Sequence, residues 1–487
     1  MNASRSVIWT ADEVLQATGG EVSGRWAACG VSIDSRAIEP GDLFVAIVGP
    51  TNDGHVFVSN ALSSGAVAAI VEKPATNSAD ILNHQQQLVF VENTASALEG
   101  LAKSARERTE AKIIAVTGSV GKTGTKEMLK HVLADQGRTA ATSGNLNNHF
   151  GLPLSLSRMP GETEFGVFEM GMSSSGEITP LSKLARPHVA LITAIEFAHS
   201  EFFASIEGIA DAKAEIFSGL EPSGVAVLNA DNALFARLAK AANTQGVSDV
   251  RSFGKAAGSD CQLLELEMKP ESSLVLVDLR GKRIQFELSV PGRHWVQNAL
   301  GVLCAVDAAG ADPVKAALKL SQMPGLQGRG RWHRLSISGG DFYLIDESYN
   351  ASPASMRAAI EVLGKSSPAE GGRKIAVLGD MLELGDQAKA MHAGAAIDLQ
   401  NNGIDLVFTT GQLMASLSEA LPSSMRGGHA SAANQLFPLL RSVIRPSDVV
   451  MVKGSNGSRT SLIVDDLLKL EQDQADPTTS AYAVNGN

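Results

Sequence analysis

Apolar positions along this chain fall into two alternating rhythms. Short unbroken apolar runs alternate with longer stretches in which apolar residues recur three and four apart, which predicts strands and helices in turn. Ile113–Val116, Phe165–Glu169, Val189–Thr193 and Gly224–Asn229 read as strands, and so do Phe342–Asp346, Lys374–Gly379, Leu406–Thr410 and Val449–Lys453. Helical spacing marks Ala11–Thr18 with Thr10 as its cap, the set Ala97, Leu98, Leu101, Ala102 and Ala105, the set Met128, Leu129, Val132 and Leu133, and Ser355–Leu363. Strands that alternate with helices imply mostly parallel sheets covered on both faces, an α/β fold. Residues 262–290 alternate apolar and polar instead, which predicts an antiparallel hairpin with its turn at Gly281-Lys282.

A chain of 487 residues suggests about three domains. The first, residues 1–92, is a small α/β unit with strands at Val31–Asp34 and Leu43–Val48 around a turn at Pro40-Gly41. The second, 93–326, holds most of the strand–helix repeats in a mostly parallel sheet. The third, 327–487, follows the Pro/Gly-rich stretch 323–331 and repeats the rhythm as a Rossmann-like domain. Its end, about residues 472–487, is polar and patternless and reads as a disordered tail.

Composition narrows the partners. The net charge is −11, which argues against nucleic acid or an anionic membrane as the main partner. Cys29, Cys261 and Cys304 lie far apart without C-x-x-C spacing and read as reduced thiols. With no apolar run of membrane-spanning length and no signal-peptide pattern at the start, the expectation is a cytoplasmic protein.

The strongest chemical signal is Thr117-Gly118-Ser119-Val120-Gly121-Lys122-Thr123, set between an apolar run and a helical pattern. Strand, glycine loop and helix N-terminus together cradle phosphates. Gly118, Ser119 and Gly121 would line the phosphates, Lys122 would reach their outer oxygens, and the Thr123 hydroxyl would face Mg²⁺. Val116 stands where the strict pattern has glycine, so the loop by itself points to ATP or GTP and no further.

Four polar patches follow at strand ends: Gly144–Gly151 (GNLNNHFG), Glu169 in VFEMG, His199 with the later Lys213 and Glu215 in AKAEIF, and Gly292–Asn298. Singly, each reads as easily as a surface turn or a solvated helix face. Together with DSRAIEPGDLFVAIVGPTNDGH, TGSVGKTGTKE, LIDESYNASPASM and VMVKGSNGSRTS, and in this order, they resemble the Mur ligases, the ATP-dependent amide-forming enzymes of peptidoglycan precursor synthesis. DESYNASP is similar to the DSYNANP-type signature of the member that adds D-alanyl-D-alanine, and the DNPR-type motif of the third-residue-adding enzyme is absent.

The resemblance implies an N-terminal UDP-binding domain, a central ATP-binding domain and a C-terminal domain that closes over both. It implies ATP and Mg²⁺ as cofactors, UDP-N-acetylmuramoyl-tripeptide and D-alanyl-D-alanine as substrates, and a monomer. By similarity, Lys122 serves the terminal phosphates, and Thr123, Glu169, His199 and a carbamoylated Lys213 serve Mg²⁺. Asn298 contacts the adenine side of the nucleotide. Arg329 reaches the phosphates on closure, with Arg331 the close alternative. Glu347, or its neighbour Asp346, matches the family's aspartate, and Ser352 stands where a second Asn is usual. Ser35 and Arg36 fall to the uridine-diphosphate end of the substrate, Asn148 falls among the substrate-binding residues, and Tyr349, Asn350 and Lys453 fall nearer the dipeptide. Gly124, commonly Thr or Ser in the family, is a further departure.

Overall fold

The computed structural model describes residues 5–22, 24–49, 52–73, 84–196, 203, 205–269 and 271–475. Three large sheets organise them, beside a two-stranded antiparallel pair of Trp9–Thr10 with Ala27–Ala28. The first has five strands in the order Glu21–Val22, Leu88–Val91, Ala68–Glu72, Asp42–Val45 and Gly30–Ser32, parallel except at the Glu21 edge. Thr10 caps the helix Ala11–Thr18 in a closed capping box with Glu13. The helix Thr94–Glu107 lays Ala97, Leu98, Leu101 and Ala105 on this sheet's core, while its Ala102 packs into the core of the central sheet.

The central sheet has nine strands. Lys112–Thr117 lies between Phe165–Glu169 and Val189–Ile192, all parallel, with Glu169 beside Val116 and Ile192 beside Thr117. The chain moves outward from Lys112–Thr117 in both directions, so a crevice opens at the carboxyl ends of these three strands, where doubly wound sheets bind ligands. Helices cover both faces, and Ile114, Val116, Leu129, Val132 and Leu191 are fully buried. Each such side chain contributes roughly 1.5–3 kcal/mol of burial, which fixes the strand ends that carry the polar groups.

At one edge, residues 261–288 form a three-stranded antiparallel meander (Cys261–Met268, Ser273–Leu279 and Lys282–Leu288), one strand more than the expected hairpin. A second turn, in which Lys269 N–H donates to Ser272 O, supplies the extra strand. The expected turn also shifts by one residue: Arg280 and Gly281 take φ 51° and 88°, the positive pair that matches hairpin twist.

The third sheet runs Arg331–Ile337, Gly340–Glu347, Val449–Lys453, Lys374–Gly379, Leu406–Thr410 and Arg426–Ala430, parallel apart from the first strand. Its register places Glu347 beside Lys453. The last helix, Ser461–Ala475, continues into the segment expected as tail, because Ile463, Val464 and Leu467 anchor it to the core and its final turns propagate from there. Residues 476–487 of that expectation lie outside the described residues.

Candidate active site

The phosphate loop takes the predicted form. Lys112–Thr117 leads through Gly118 (φ 147°) and Gly121 (φ 87°) into the helix Lys122–Leu133. A Cβ on Gly118 would stand 2.0 Å from Thr193 Oγ1, and one on Gly121 would stand 2.7 Å from Asn298 Oδ1, so both close approach and backbone conformation require glycine. Asn298, half-buried on the helix Arg293–Ala308, is thereby brought against the loop. Ser119 N–H donates to Ala194 O (2.7 Å) and its hydroxyl to Glu196 O (3.0 Å). Lys122 Nζ folds back onto Gly118 O at 2.8 Å. Burial holds its ammonium below the usual lysine range, and the nearby Arg329 cation lowers it further against the opposing pull of Glu169.

Gly124 has a packing cause: a Cβ there would stand 2.7 Å from the Trp295 ring, which is itself buried. The Trp295 ring fills the space that a Thr or Ser side chain would need.

Thr123 is the hub of the site. Its hydroxyl donates to Glu169 Oε2 (2.9 Å) and accepts from Arg329 Nη2 (3.0 Å). Glu169, buried at its strand end, also accepts from Asn147 Nδ2 at 2.8 Å. Asn147, inside the asparagine-rich loop, is thus a site residue that sequence reasoning missed. Asn148, the one selected, is exposed and uses its Oδ1 to accept from the N–H groups of Phe150 (3.2 Å) and Gly151 (2.8 Å) at the next helix start. Two adjacent asparagines carry the same sequence signal, and only the direction of each side chain separates them.

Lys213, on the helix Ile206–Ala214, is 0% exposed, and its Nζ has no hydrogen-bond partner among the described residues. Burial drives its ammonium well below the ordinary range, with the Lys122 charge adding to the effect and Glu169 opposing it. An orphaned buried amine costs several kcal/mol, so this position suits a neutral or chemically altered side chain. Its neighbour Glu215 is occupied structurally and accepts from Gly176 N–H (2.6 Å), Ile178 N–H (3.1 Å) and Thr179 N–H (3.1 Å) at the start of the helix Ile178–Ala185. His199 lies outside the described residues.

The third domain presents the opposite wall. Arg329 is half-buried, with its guanidinium 4.1 Å from the Tyr349 ring centroid, while Arg331 is exposed at the start of the next strand. Of the two arginines, Arg329 is the one that meets the phosphate loop. Asp346 is consumed internally: it accepts from Gly328 N–H (2.7 Å) and from the Ser348 hydroxyl (2.6 Å), which fixes the linker that carries Arg329. Glu347 accepts from Lys453 Nζ (3.3 Å), and Lys453 also donates to Asn350 O (3.0 Å). Lys453 is buried, which lowers its ammonium despite Glu347. Ser352 caps the helix Pro353–Lys365 in a capping box with Ser355, and serine caps a helix as well as asparagine does. A cleft of about 710 Å³ between the two domains is lined by Pro291, Arg293, His294, Arg357 and Glu361, with Arg293 and Glu361 3.6 Å apart across it.

Ser35 and Arg36 belong to another place, the 3₁₀ turn Ser35–Ala37 beside the first sheet. Ser35 is buried, whereas Arg36 is largely exposed and pairs with Asp34 at 2.7 Å. No contact links them to Thr123, Glu169 or Arg329 among the described residues.

Known proteins match the chain along most of its length. Residues 28–106 match the Mur ligase family catalytic domain, 116–306 the Mur ligase middle domain and 330–456 the Mur ligase glutamate ligase domain. A UDP-N-acetylmuramoyl-tripeptide–D-alanyl-D-alanine ligase from Bacillus subtilis is 36% identical, over 90% of this chain and 93% of its own. The enzyme of that name from Rickettsia prowazekii is 32% identical, over 94% of this chain and 99% of its own. A crystal structure of MurF from Acinetobacter baumannii superposes with a TM-score of 0.82 at 31% identity, covering 95% of this chain and 99% of that one. MurF from Thermotoga maritima, solved in complex with ADP, reaches 0.72 at 28% identity, covering 91% and 98%. The chain belongs to the Mur ligase family.

Proposed function

We propose that this protein joins D-alanyl-D-alanine to the free carboxylate of UDP-N-acetylmuramoyl-tripeptide at the expense of ATP, giving the pentapeptide precursor of peptidoglycan, ADP and phosphate. It acts in the cytoplasm as a monomer, with domains at 1–92, 93–326 and 327–487. The observation that carries this reading is the hydrogen-bonded chain Arg329–Thr123–Glu169–Asn147, which draws an interdomain arginine onto the nucleotide loop. The relatives named above supply the acceptor and the dipeptide.

A carboxylate acylates amines poorly, so ATP first phosphorylates it. The amine of the dipeptide then attacks the acyl phosphate, and the tetrahedral intermediate expels phosphate. Lys122 and Arg329 hold the terminal phosphoryl group and neutralise charge as it transfers. Gly118, Ser119 and Gly121 offer backbone to the phosphates, and Asn298 faces the adenine side. Glu347 serves the nucleotide, Ser35 and Arg36 the uridine-diphosphate end, Asn148 the bound substrate, and Tyr349, Asn350 and Lys453 the dipeptide. Closure of the third domain shields the acyl phosphate from water.

Thr123, Glu169, His199 and a carbamoylated Lys213 would hold Mg²⁺ directly or through water. The fit is supported by hard oxygen donors at Thr123 and Glu169 and by the orphaned Lys213 amine, which a carbamate would turn into an oxygen ligand. An ion held there would supply charge neutralisation for the phosphoryl transfer.

The test is phosphate release from ATP with UDP-N-acetylmuramoyl-tripeptide, with and without D-alanyl-D-alanine. The expected result is release that requires both, with a product heavier by one dipeptide unit. Release indifferent to the muramoyl peptide would leave a nucleotide hydrolase and overturn the ligase reading.

A further inference from the structure

Lys126 sits on the phosphate-loop helix three residues beyond Thr123, on the same side of the helix. It is 0% exposed, among the largest fully buried side chains of the protein. Its ammonium donates to the carbonyl oxygens of Thr142 (2.9 Å) and Gly144 (3.5 Å) and to Glu127 Oε1 (2.5 Å). Thr142 and Gly144 begin the loop that carries Asn147.

That loop grips Glu169 twice. Thr142 Oγ1 accepts from the Glu169 backbone N–H (3.1 Å), and Asn147 Nδ2 donates to the Glu169 carboxylate (2.8 Å). The carboxylate in turn accepts from the Thr123 hydroxyl at 2.9 Å, on the helix where the path began. Thr123, Glu169, Asn147, the 142–144 segment and Lys126 therefore close a ring through one helix, one strand end and one loop. Lys126 is the fastening between helix and loop. Burying an ammonium is costly, and an apolar side chain would fill the same space more cheaply; only a donor can hold two loop carbonyls together.

We infer that Lys126 is a positioning residue of the reaction. By tying Thr142 and Gly144 to the phosphate-loop helix, it sets the orientation of the Glu169 carboxylate and, through it, of the Thr123 hydroxyl. This rests on the reading of Glu169 as a group that serves the nucleotide and its metal.

The experiment compares Lys126→Met, Lys126→Arg, Thr142→Val and Glu169→Gln in the full chain. It follows kcat, KM for each substrate, half-saturating Mg²⁺ and hydrogen exchange of the amides of residues 142–151. Groups that orient metal-serving side chains typically matter about 10–100-fold. Lys126→Met is expected to lower kcat and raise half-saturating Mg²⁺ by about that factor, with KM for the muramoyl substrate unchanged and exchange in 142–151 faster. Thr142→Val, which keeps Lys126 and cuts only the next link, is expected to shift kcat and Mg²⁺ in the same direction. Lys126→Arg is expected to recover part of both. A folded Lys126→Met protein with wild-type kcat and Mg²⁺ dependence overturns the proposal. If that variant does not fold, wild-type kinetics in Thr142→Val overturns it instead. Unchanged kinetics in Glu169→Gln overturns the underlying reading of Glu169 separately, since the exchange measurement on Lys126→Met still reports whether the lysine fastens the loop.

Discussion

The Arg329 guanidinium donates to the Thr123 hydroxyl at 3.0 Å, joining the segment at the start of the third domain to the first turn of the phosphate-loop helix across 206 positions of sequence. Arg329 is held for this contact on two sides. Tyr349 stacks on its guanidinium, and Asp346 pins the Gly328 backbone beside it. In the proposed mechanism this contact would couple closure of the third domain to the nucleotide chemistry.

Arg329→Ala should therefore lower kcat on the order of 10³-fold, the scale of a missing arginine that stabilises phosphoryl transfer. The KM of the muramoyl substrate should stay near wild type. Arg329→Lys should recover little, because a lysine offers neither the planar fork nor the same stacking on Tyr349. Steady-state phosphate release with each substrate varied in turn checks this, and full rescue by lysine would refute the geometric part.

Trp295 and Gly124 should behave as a coupled pair. Gly124→Thr pushes a side chain into the Trp295 ring and should raise the KM for ATP about tenfold or more, in line with overpacking of roughly 1–3 kcal/mol. Adding Trp295→Ala should return part of that loss, so that the double variant outperforms the sum of the single ones. A double-mutant cycle on ATP binding measures the coupling, and strict additivity would show that the two sites do not press on one another.

The three thiols should differ sharply in reactivity. Burial raises Cys304 to about 12 and lifts Cys261 well above the usual thiol range, whereas Cys29 is half-buried. The thiolate is the reactive form. At pH 8 a thiol reagent should label Cys29 in the native protein and all three cysteines only after unfolding. Peptide mapping of the labelled sites reads this out.

Stability should fall on mild acidification. His131, His188, His294 and His392 all titrate below the ordinary histidine value of 6.5, chiefly through burial. His392 shows why: it is 0% exposed, its Nε2 accepts from Met381 N–H (2.9 Å), and its Nδ1 faces Ala388 O (2.6 Å). A depressed folded value means that the unfolded chain binds more protons below pH 6.5, so stability is complete above that pH and declines as pH falls toward the folded values. Urea unfolding at pH 7.5 and 5.5 should show a lower midpoint at the acidic pH with an unchanged m-value. A midpoint that does not move would mean that these histidines are charged in the native state.

The sequence by itself determined the α/β architecture, the strand Lys374–Gly379 to the residue, the glycine loop with Lys122 and Thr123, and the family. These follow from local periodicity and from residue types that few other contexts require, such as Gly118 and Gly121 at left-handed or crowded backbone. Tertiary structure decided what depends on which way a side chain points. It chose Arg329 over Arg331, gave Asp346 to the linker and Glu347 to Lys453, and turned Asn147 rather than Asn148 toward Glu169. It also buried Lys126 and Lys213 on helices whose sequence alone would put lysine in solvent. Neighbouring residues of one type share a single local signal; distant strands and loops, packed by hydrophobic burial, supply the partners that tell them apart.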